Sequence, residues 1–484
     1  MGVIGILISN RLRYEAWRGN ARLHNVVFMV VIFLALSLFY ISSIDIRATR
    51  GASITGDEPF YLMTTQSLLE DGNLDISPQY ATKSYKAFFD HEKDLWRQSV
   101  AMSDETVLSP HNPGLSVLLV PGFALGGLLG SQVQMLLMAG MTFALTYLLV
   151  LRVSGAQIVS FFATLAVGVS ATPYIYATEI YPEYPAGLAL IIALLLIQGC
   201  TRIGTIRMLA LVLCLTLIPW LGVKYSPLVV LLGSWAIFNM SILSRIGFVL
   251  IGAMSGFIFV WFHMETFGAL TPYTIGAVYA GNDTLTIIDK HLSFDGRLYR
   301  VLGLFVDQRF GIARWAPILL LVPLGVAISL FRSSSTRWIA GLIGIQVFIA
   351  SFVAVTMMGW WFPGRTLMTI APLMSVLLAL VILEANLLGR VFIIVLGIYS
   401  LMITLALMVG GHLEQVVIAV DPFKLPSPLI QLSAGLFPNY EMWGVDTWVL
   451  TGVWACLLGG GFCWVIVSNM KASIWGAKGD QDGT

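Results

Sequence analysis

Apolar runs of about the length that a lipid bilayer requires recur along the whole chain. A helix that crosses the hydrocarbon core needs about 20 mainly apolar residues. Because 57% of the 484 residues are hydrophobic and only 11% are charged, the sequence predicts an all-α polytopic membrane protein with about 12 transmembrane helices. The predicted spans are 26–44, 132–151, 157–174, 185–200, 207–223, 227–243, 246–262, 314–331, 338–356, 367–384, 391–409 and 447–468.

The distribution of basic residues predicts how the chain is oriented. Arginines precede the first span, and basic residues recur in every second connection: Arg11, Arg13, Arg18, Arg22, Arg152, Arg202, Arg207, Arg245, Arg332, Arg337, Arg390 and Lys471. Positively charged loops stay on the cytoplasmic side. We therefore expect both termini in the cytoplasm beneath a plasma (inner) membrane. The expected parts are a basic segment at 1–25, a transmembrane domain at 26–470 and a tail at 471–484.

Three substantial connections, about 45–131, 263–313 and 410–446, then lie on the external or periplasmic face. Long loops are usually functional when they are ordered. These loops contain aromatic residues and no low-complexity run, so we expect juxtamembrane helices within them. The formal net charge of +1 provides no electrostatic surface for nucleic acid, which excludes that class of partner.

The segment 112–130, "NPGLSVLLVPGFALGGLLG", is apolar enough to span the membrane. Counting it as a span would invert the orientation of every later helix and move several arginine turns outside. Its prolines, Pro113 and Pro121, and its glycine-rich end suit a broken helix. We therefore expect this segment to lie on the membrane or partly within it.

Two adjacent acids, Asp57 and Glu58, follow the first span in "TGDEPFYLMTTQSLLEDGNLD". Pro59 suits the first turn of a helix, and Gly72 suits its end. A carboxylate at this position can cap free N–H groups, which is one explanation for Asp57. The other is a functional site, because a second acidic cluster, "TEIYPEYP", is expected on the same face.

Five motifs follow one another along the chain: "GDEPFYLMTTQSLLEDGNLD", "SPHNPGLSVLLVPGFALGG", "TEIYPEYPAGLALIIALLL", "LGLFVDQRFGIARWAPILLL" and "GWWFPGRTLMTIAPLM". Through these motifs the chain resembles the polyprenyl-phosphate-sugar glycosyltransferases of the GT-C superfold. It is similar to the branch of protein O-mannosyltransferases and aminoarabinose transferases, glycosyltransferase family 39-like. The order of the motifs and their side of the membrane match the family, and together they cover most of the chain.

The resemblance implies an inverting transfer of a sugar from a polyprenyl-phosphate donor to an acceptor hydroxyl or other nucleophile on the external face. Asp57 matches the family's general base, and Glu58 is an equal candidate for that role. The departing lipid phosphate requires cations nearby. The candidates for binding that phosphate are Arg365, Lys224, Arg309 and Arg314, and the candidates for contacting the sugar or the acceptor are Glu183, Glu179, Tyr61 and His111.

Each candidate also has a plainer explanation. Arg365 could anchor the interface beside two tryptophans, and Lys224 could extend to the interface from its helix end. Arg309 or Arg314 could pair with Asp307. Glu179 and Glu183 could be solvated acids in a short turn, and His111 could be a structural loop residue.

The alternative function is a transporter or flippase for an anionic lipid-linked sugar. That class predicts charged or broken-helix features near the middle of the bilayer, and the predicted spans contain almost none. No cofactor is required by the sequence, and a divalent metal ion stays open because some GT-C branches use one. The sugar, and whether the acceptor is lipid, glycan or protein, also stay open.

Overall fold

The computed structural model describes residues 23–99, 101–102, 105–198, 203–281, 283–419 and 421–479. The first 22 residues of the predicted basic segment and the last five of the predicted tail lie outside the described residues. Within the described ranges the chain is helical, and its single β-bridge joins Ala101 and Val107. The predicted all-α fold class is therefore confirmed.

The helices are numbered in chain order. They are α1 Leu23–Ile41, α2 Glu58–Glu70, α3 Ser77–Thr82, α4 Gly114–Ser154, α5 Gln157–Gly168, α6 Ala171–Tyr176, α7 Glu183–Ile197, α8 Thr205–Leu221, α9 Ser226–Phe238, α10 Ile242–Phe267, α11 Tyr273–Tyr279, α12 Thr284–Leu292, α13 Tyr299–Val306, α14 Ile312–Trp315, α15 Val322–Ser329, α16 Ser334–Phe348, α17 Ala371–Glu384, α18 Leu387–His412, α19 Pro428–Ala434 and α20 Val445–Gly479.

Seven of the described helices are long and apolar enough to cross a membrane: Leu23–Ile41, Gly114–Ser154, Ile242–Phe267, Ser334–Val353, Arg365–Glu384, Leu387–His412 and Val445–Met470. Five shorter apolar helices accompany them: Gln157–Gly168, Glu183–Ile197, Thr205–Leu221, Val223–Phe238 and Pro317–Ser329. Every predicted span falls on one of these helices. The chain is thus a multi-pass membrane protein, while the count of twelve crossings stays a prediction.

Helix α4 is a hairpin of two antiparallel limbs. Its backbone leaves the helical region at Gly126 and Gly127. The side chain of Gln134 in the second limb donates to the carbonyl oxygen of Leu118 at 2.7 Å and accepts from the N–H of Gly122 at 2.9 Å. The segment 112–130 is therefore broken, as its glycines indicated. Its placement at the membrane surface stays a prediction.

Two predicted spans are interrupted. The span 157–174 is wrong as one helix, because α5 ends at Gly168 and α6 begins at Ala171 after an extended Ser170. The span 314–331 begins in α14, breaks at Ala316, and continues through a 3₁₀ turn at Pro317–Leu321 into α15. Both interruptions lie where a proline follows within a few residues, and proline removes a helical hydrogen bond.

Helix α17 forms the centre of the bundle. It packs against α4, α5 and α15, and all its residues from Ala371 to Leu380 are buried. Helices α10 and α20 are peripheral, with only 6% of their most apolar windows buried inside the protein. An apolar helix that is exposed all along its length suits contact with lipid.

The short helices α2, α3, α11, α12, α13, α14 and α19 lie in the three long connections, where juxtamembrane helices were expected. Helix α2 packs against α4, and α4 also packs against α7. The N-terminus of α2 therefore lies near the N-terminus of α7. Helix α17 runs away from this end of the bundle toward Glu384. The two ends of α17 therefore define a site end and an opposite end.

Candidate functional site

Four separate segments each bring one charged side chain to the site end of the bundle. Asp57 and Glu183 stand at the N-termini of α2 and α7. Lys224 lies in the 3₁₀ turn that follows α8, and Arg365 begins the 3₁₀ turn that leads into α17. These residues are far apart in the sequence, so only the tertiary fold assembles the group.

The turn before Arg365 is fixed by its glycine. Gly364 has φ of +90°, and a Cβ there would lie 2.8 Å from the Cγ2 of Thr172. Thr172 also donates a hydrogen bond to the carbonyl oxygen of Pro363 at 3.0 Å. A side chain at position 364 would thus meet both backbone strain and a steric clash. This tight turn directs Arg365 toward the two helix N-termini.

Arg365 joins the two acids. Its Nη2 lies 2.9 Å from Oδ2 of Asp57, and its Nε lies 3.3 Å from Oε1 of Glu183. The same Oε1 of Glu183 accepts from Nζ of Lys224 at 2.9 Å. The result is a chain of alternating charges, Asp57, Arg365, Glu183 and Lys224, which we call the charge cluster.

Aromatic rings hold the Arg365 guanidinium in place. Its central carbon lies 3.8 Å from the centroid of Tyr181 and 5.5 Å from that of Trp361. A cation over an aromatic face is attracted by the ring quadrupole. The side chain is only 11% exposed, so the guanidinium is a rigid and partly desolvated cation.

The structure separates the two adjacent acids. Both oxygens of Glu58 accept backbone N–H groups, from Thr55 at 2.9 Å and from Ile180 at 3.0 Å. Glu58 is 2% exposed. Asp57 is the N-cap residue of α2 but makes no side-chain capping bond, and its carboxylate is 28% exposed. Glu58 therefore ties two loops together, whereas Asp57 faces the cluster.

The surroundings move the pKa of these acids in opposite directions. Burial would raise the pKa of Asp57, but the nearby His111, Arg365 and Lys224 outweigh it and hold this pKa at about 2. Burial raises the pKa of Glu58 to about 7, against the lowering effect of its two backbone donors. Asp57 is thus a firmly ionised carboxylate in the resting site.

Two buried carboxylate oxygens remain without partners among the described residues, Oε2 of Glu183 and Oε2 of Glu179. Burial, reinforced by the charge of Glu58, raises the pKa of Glu179 well above its ordinary value. Buried polar atoms without partners are rare in native proteins. These two oxygens are therefore suited to accept or share hydrogen bonds with the hydroxyl groups of a bound molecule.

His111 connects the cluster to a neighbouring cavity. Its Nε2 lies 3.8 Å from Oδ1 of Asp57 and 2.9 Å from Oε1 of Gln98, and its ring stacks on Tyr61 with centroids 4.9 Å apart. Burial lowers the pKa of His111, against the raising effect of Asp57. The adjoining cavity of about 340 Å³ is lined by Arg97, Gln98, Pro110, His111, Tyr273, Gly276 and Tyr279.

Arg309 and Arg314 make their contacts outside the charge cluster. The side chain of Arg309 forms an ion pair with Glu441, and only its backbone N–H donates to Asp307, at 2.9 Å. Arg314 is buried and donates to the carbonyl oxygens of Gln308 and Ile430. The expected ion pair with Asp307 is therefore wrong, because the carboxylate of Asp307 is occupied by backbone donors.

Sequence reasoning placed Asp57, Glu183, Lys224, Arg365 and their neighbours Tyr61 and His111 on one face, and the structure brings them together. It overlooked Tyr181, Trp361, Tyr273 and Gln98. Tyr181 and Trp361 stand within the quoted motifs "TEIYPEYP" and "GWWFPGR", so aromatic residues beside the charges were the available signal. Within the described ranges, no group of three or more His, Cys, Asp and Glu could hold a metal ion.

Comparison with known proteins gives a structural likeness. No protein-family model matches the sequence, and no curated protein matches it. The chain is similar to the crystal structure of ArnT from Cupriavidus metallidurans bound to undecaprenyl phosphate, with 13% sequence identity and a TM-score of 0.47. The similarity covers 90% of this chain and 77% of that one. The function proposed below rests on the site geometry and the sequence motifs.

Proposed function

We propose that the protein is a membrane glycosyltransferase that moves a sugar from a polyprenyl-phosphate donor to an acceptor nucleophile on the external face. The observation that carries the proposal is the position of Arg365, which bridges Asp57 and Glu183 while Lys224 shares the second acid. Two cations can neutralise the charge of a departing lipid phosphate, and the partly exposed carboxylate beside them can take the acceptor proton.

The donor phosphate would bind Arg365 and Lys224. Lys224 is 36% exposed and Arg365 carries its donors in a planar fork suited to phosphate oxygens. Both cations are held by carboxylates in the resting protein. A phosphate would therefore have to replace part of those contacts, and the one most easily replaced is that of the exposed Asp57.

This exchange would activate Asp57. A general base works best when its pKa lies near the working pH, and the resting pKa of about 2 makes Asp57 a weak base. When Arg365 turns to the phosphate, Asp57 loses the cation that donates a hydrogen bond to it, and the effect of burial then raises its pKa. Donor binding would thus prepare the base, so we expect the donor to bind before the acceptor is activated.

The chemical step follows from this arrangement. The acceptor oxygen, or another nucleophilic atom, attacks the anomeric carbon and forms the new glycosidic bond. The bond between that carbon and the phosphate oxygen breaks with inversion, and the electron pair stays on the lipid phosphate beside Arg365 and Lys224. The acceptor proton passes to the Asp57 carboxylate. Such a positioned base contributes roughly 10² to 10⁴ in rate.

The remaining residues would position substrates. The buried Oε2 atoms of Glu183 and Glu179 are available to sugar hydroxyls. His111 stands between Asp57 and the cavity of about 340 Å³, which would admit the acceptor, and Tyr61 stacks on the His111 ring. Glu58 would act as a positioning residue, because both its oxygens are already bound by backbone N–H groups.

The test uses purified protein in nanodiscs with a panel of polyprenyl-phosphate sugars and a membrane extract as acceptor. We expect release of lipid phosphate by the wild type and its loss in Asp57→Asn. The matched control is Glu384→Gln, which also breaks an arginine pair, with Arg332, but at the opposite end of the bundle. Movement of donor across the bilayer without phosphate release by any variant would refute the proposal and indicate a flippase.

A further inference from the structure

A second, apolar groove lies at the opposite end of the bundle. It opens between α5 and α18, and residues of α17 form its floor. Its volume is about 660 Å³, within the range of about 300 to 1,000 Å³ that ligand pockets occupy. The lining is Ile158, Val159, Phe162, Leu165, Ala166, Val169, Ile318, Leu378, Ile382, Leu383, Arg390, Ile393, Ile394, Gly397, Ile398 and Leu401.

One charged residue, Arg390, lies among these apolar side chains. Its guanidinium makes no ion pair or hydrogen bond with any residue that the structure describes; only its backbone N–H is bound, to Asn386 at 2.9 Å. The nearby acid, Glu384, is already paired with Arg332. Among the described residues, the positive charge at the mouth of the groove is therefore uncompensated.

The open side of the groove is itself apolar. Phe162 of α5 and Ile394 and Ile398 of α18 are 57%, 60% and 55% exposed. In a bilayer such side chains contact lipid chains, so a ligand reaches the groove from within the membrane. An apolar ligand with an anionic end fits both the walls and the mouth.

We propose that this groove binds one acyl chain of an anionic phospholipid, with its phosphate on Arg390. Basic pockets between membrane helices at the cytoplasmic end are suited to anionic headgroups, and the charge pattern predicts that the Arg390 end is cytoplasmic. A second copy of the chain fits this surface less well, because a symmetric contact would bring two Arg390 cations together.

This lipid site is separate from the proposed donor site. Residues 365 to 384 run from Arg365, in the charge cluster, to the end of α17 near the groove mouth. Twenty residues of helix extend about 30 Å. One headgroup therefore cannot touch both Arg365 and Arg390. The phospholipid would lie in the leaflet opposite to that of the donor.

The experiment measures lipid binding and does not depend on turnover. Detergent-purified protein is titrated with phosphatidylglycerol, phosphatidylcholine or a polyprenyl phosphate, and bound lipid is counted by native mass spectrometry. We expect a preference of about fivefold for phosphatidylglycerol over phosphatidylcholine, which is what one arginine near an anionic headgroup provides. Arg390→Gln should abolish this preference.

Two further variants make the result specific. Arg337→Gln removes another arginine at the same end, whose Nη1 donates to the carbonyl oxygen of Arg332 at 3.3 Å, and should keep the preference. Gly397→Leu places a side chain in the groove, where even a Cβ would lie 3.3 Å from Ile318, and should weaken binding of both phospholipids. Should Arg390→Gln fold poorly, unchanged phospholipid binding by a folded Gly397→Leu would still overturn the assignment of the lipid to this groove.

Three outcomes would overturn the proposal. The first is an unchanged phosphatidylglycerol preference in folded Arg390→Gln. The second is an equal loss in Arg337→Gln, which would indicate diffuse charge attraction. The third is that both groove variants lose polyprenyl phosphate and keep phospholipid, which would assign the groove to the donor. Asp57→Asn should bind phospholipid as the wild type does, so the lipid-binding result does not depend on whether the transferase proposal is correct.

Discussion

The most informative perturbation is the replacement of Arg365 by glutamine. Arg365 contacts Asp57 at 2.9 Å and Glu183 at 3.3 Å. A pKa of about 2 for Asp57, against an ordinary 3.8, corresponds to roughly 2 kcal/mol of favourable interaction with its ionised form. Because Arg365 supplies part of that interaction, we expect Arg365→Gln to lower the free energy of unfolding by about 1 to 3 kcal/mol.

The same variant should lose far more activity than its lower free energy of unfolding alone would cause. Removing a donor that stabilises developing charge costs about 10² to 10³ in kcat. Arg365→Lys is the matched control, because it keeps the positive charge but cannot reach Asp57 and Glu183 together. We expect it to retain most of the stability while kcat stays lowered.

The assay combines initial rates of lipid-phosphate release with thermal unfolding in the same detergent, as a function of pH. The depressed pKa of Asp57 means that its stabilising contribution is complete above pH 3.8 and is lost as the pH falls toward 2. In Arg365→Gln this loss should be smaller and should be complete at a higher pH, because the folded-state pKa of Asp57 moves toward 3.8 while the unfolded-state pKa stays the same. A folded Arg365→Gln with wild-type kcat and an unchanged pH dependence of stability on the acid side would refute the reasoning.

Four further predictions concern single residues at the site or outside the charge cluster. Lys224→Gln should raise the donor KM about tenfold or more, measured in the same release assay, because it removes a cation whose contacts with phosphate are worth about 1.5 to 3 kcal/mol. Glu58→Gln should leave the donor KM unchanged and alter the pH dependence of stability. The wild-type free energy of unfolding should fall as the pH rises from about 4.5 to about 7, because the unfolded chain releases the Glu58 proton first. In thermal melts across that range this slope should be smaller in the variant, which keeps the part contributed by Glu179. Gly364→Ala should lower the free energy of unfolding by about 1 to 3 kcal/mol, because position 364 has φ of +90°. Arg309→Gln breaks only a partly exposed ion pair with Glu441. It should therefore change the free energy of unfolding by less than about 1 kcal/mol and leave donor binding intact.

Much of the site could be predicted because helix ends are readable from sequence. Prolines near Asp57 and Glu183 mark helix starts, and the arginine turns indicate which helix ends share a face. Residues at the same end of a bundle share a face of the membrane, although their lateral positions depend on packing. This reasoning and the resemblance to the family grouped Asp57, Glu183, Lys224 and Arg365, but they also included Arg309 and Arg314.

The roles of neighbouring residues could not be predicted in this way. Asp57 and Glu58 point about 100° apart around one helix turn. Which of them faces the charge cluster depends on the N–H of Ile180, in a distant loop, which binds Glu58. Arg309 lies on the expected stretch of chain, but its lateral position depends on Glu441, whose contact involves residues 132 apart in sequence. Such long-range pairings are tertiary information.

The break in α4 shows the same limit in a milder form. Its glycines and prolines indicated a broken helix, and the structure places the break at Gly126 and Gly127. The antiparallel return of the second limb depends on Gln134, which binds Leu118 and Gly122 across the hairpin. Local composition located the break, but only packing determined its angle.

The central claim is that donor phosphate takes Arg365 from Asp57. Determining the structure of the protein in a nanodisc with an unreactive polyprenyl-phosphate sugar bound would test this most directly. We predict the phosphate between Arg365 and Lys224, the distance from Arg365 to Asp57 increased beyond 2.9 Å, and the anomeric carbon facing Asp57. A phosphate bound at Arg309 or Arg314, with the pair of Asp57 and Arg365 intact, would contradict the account.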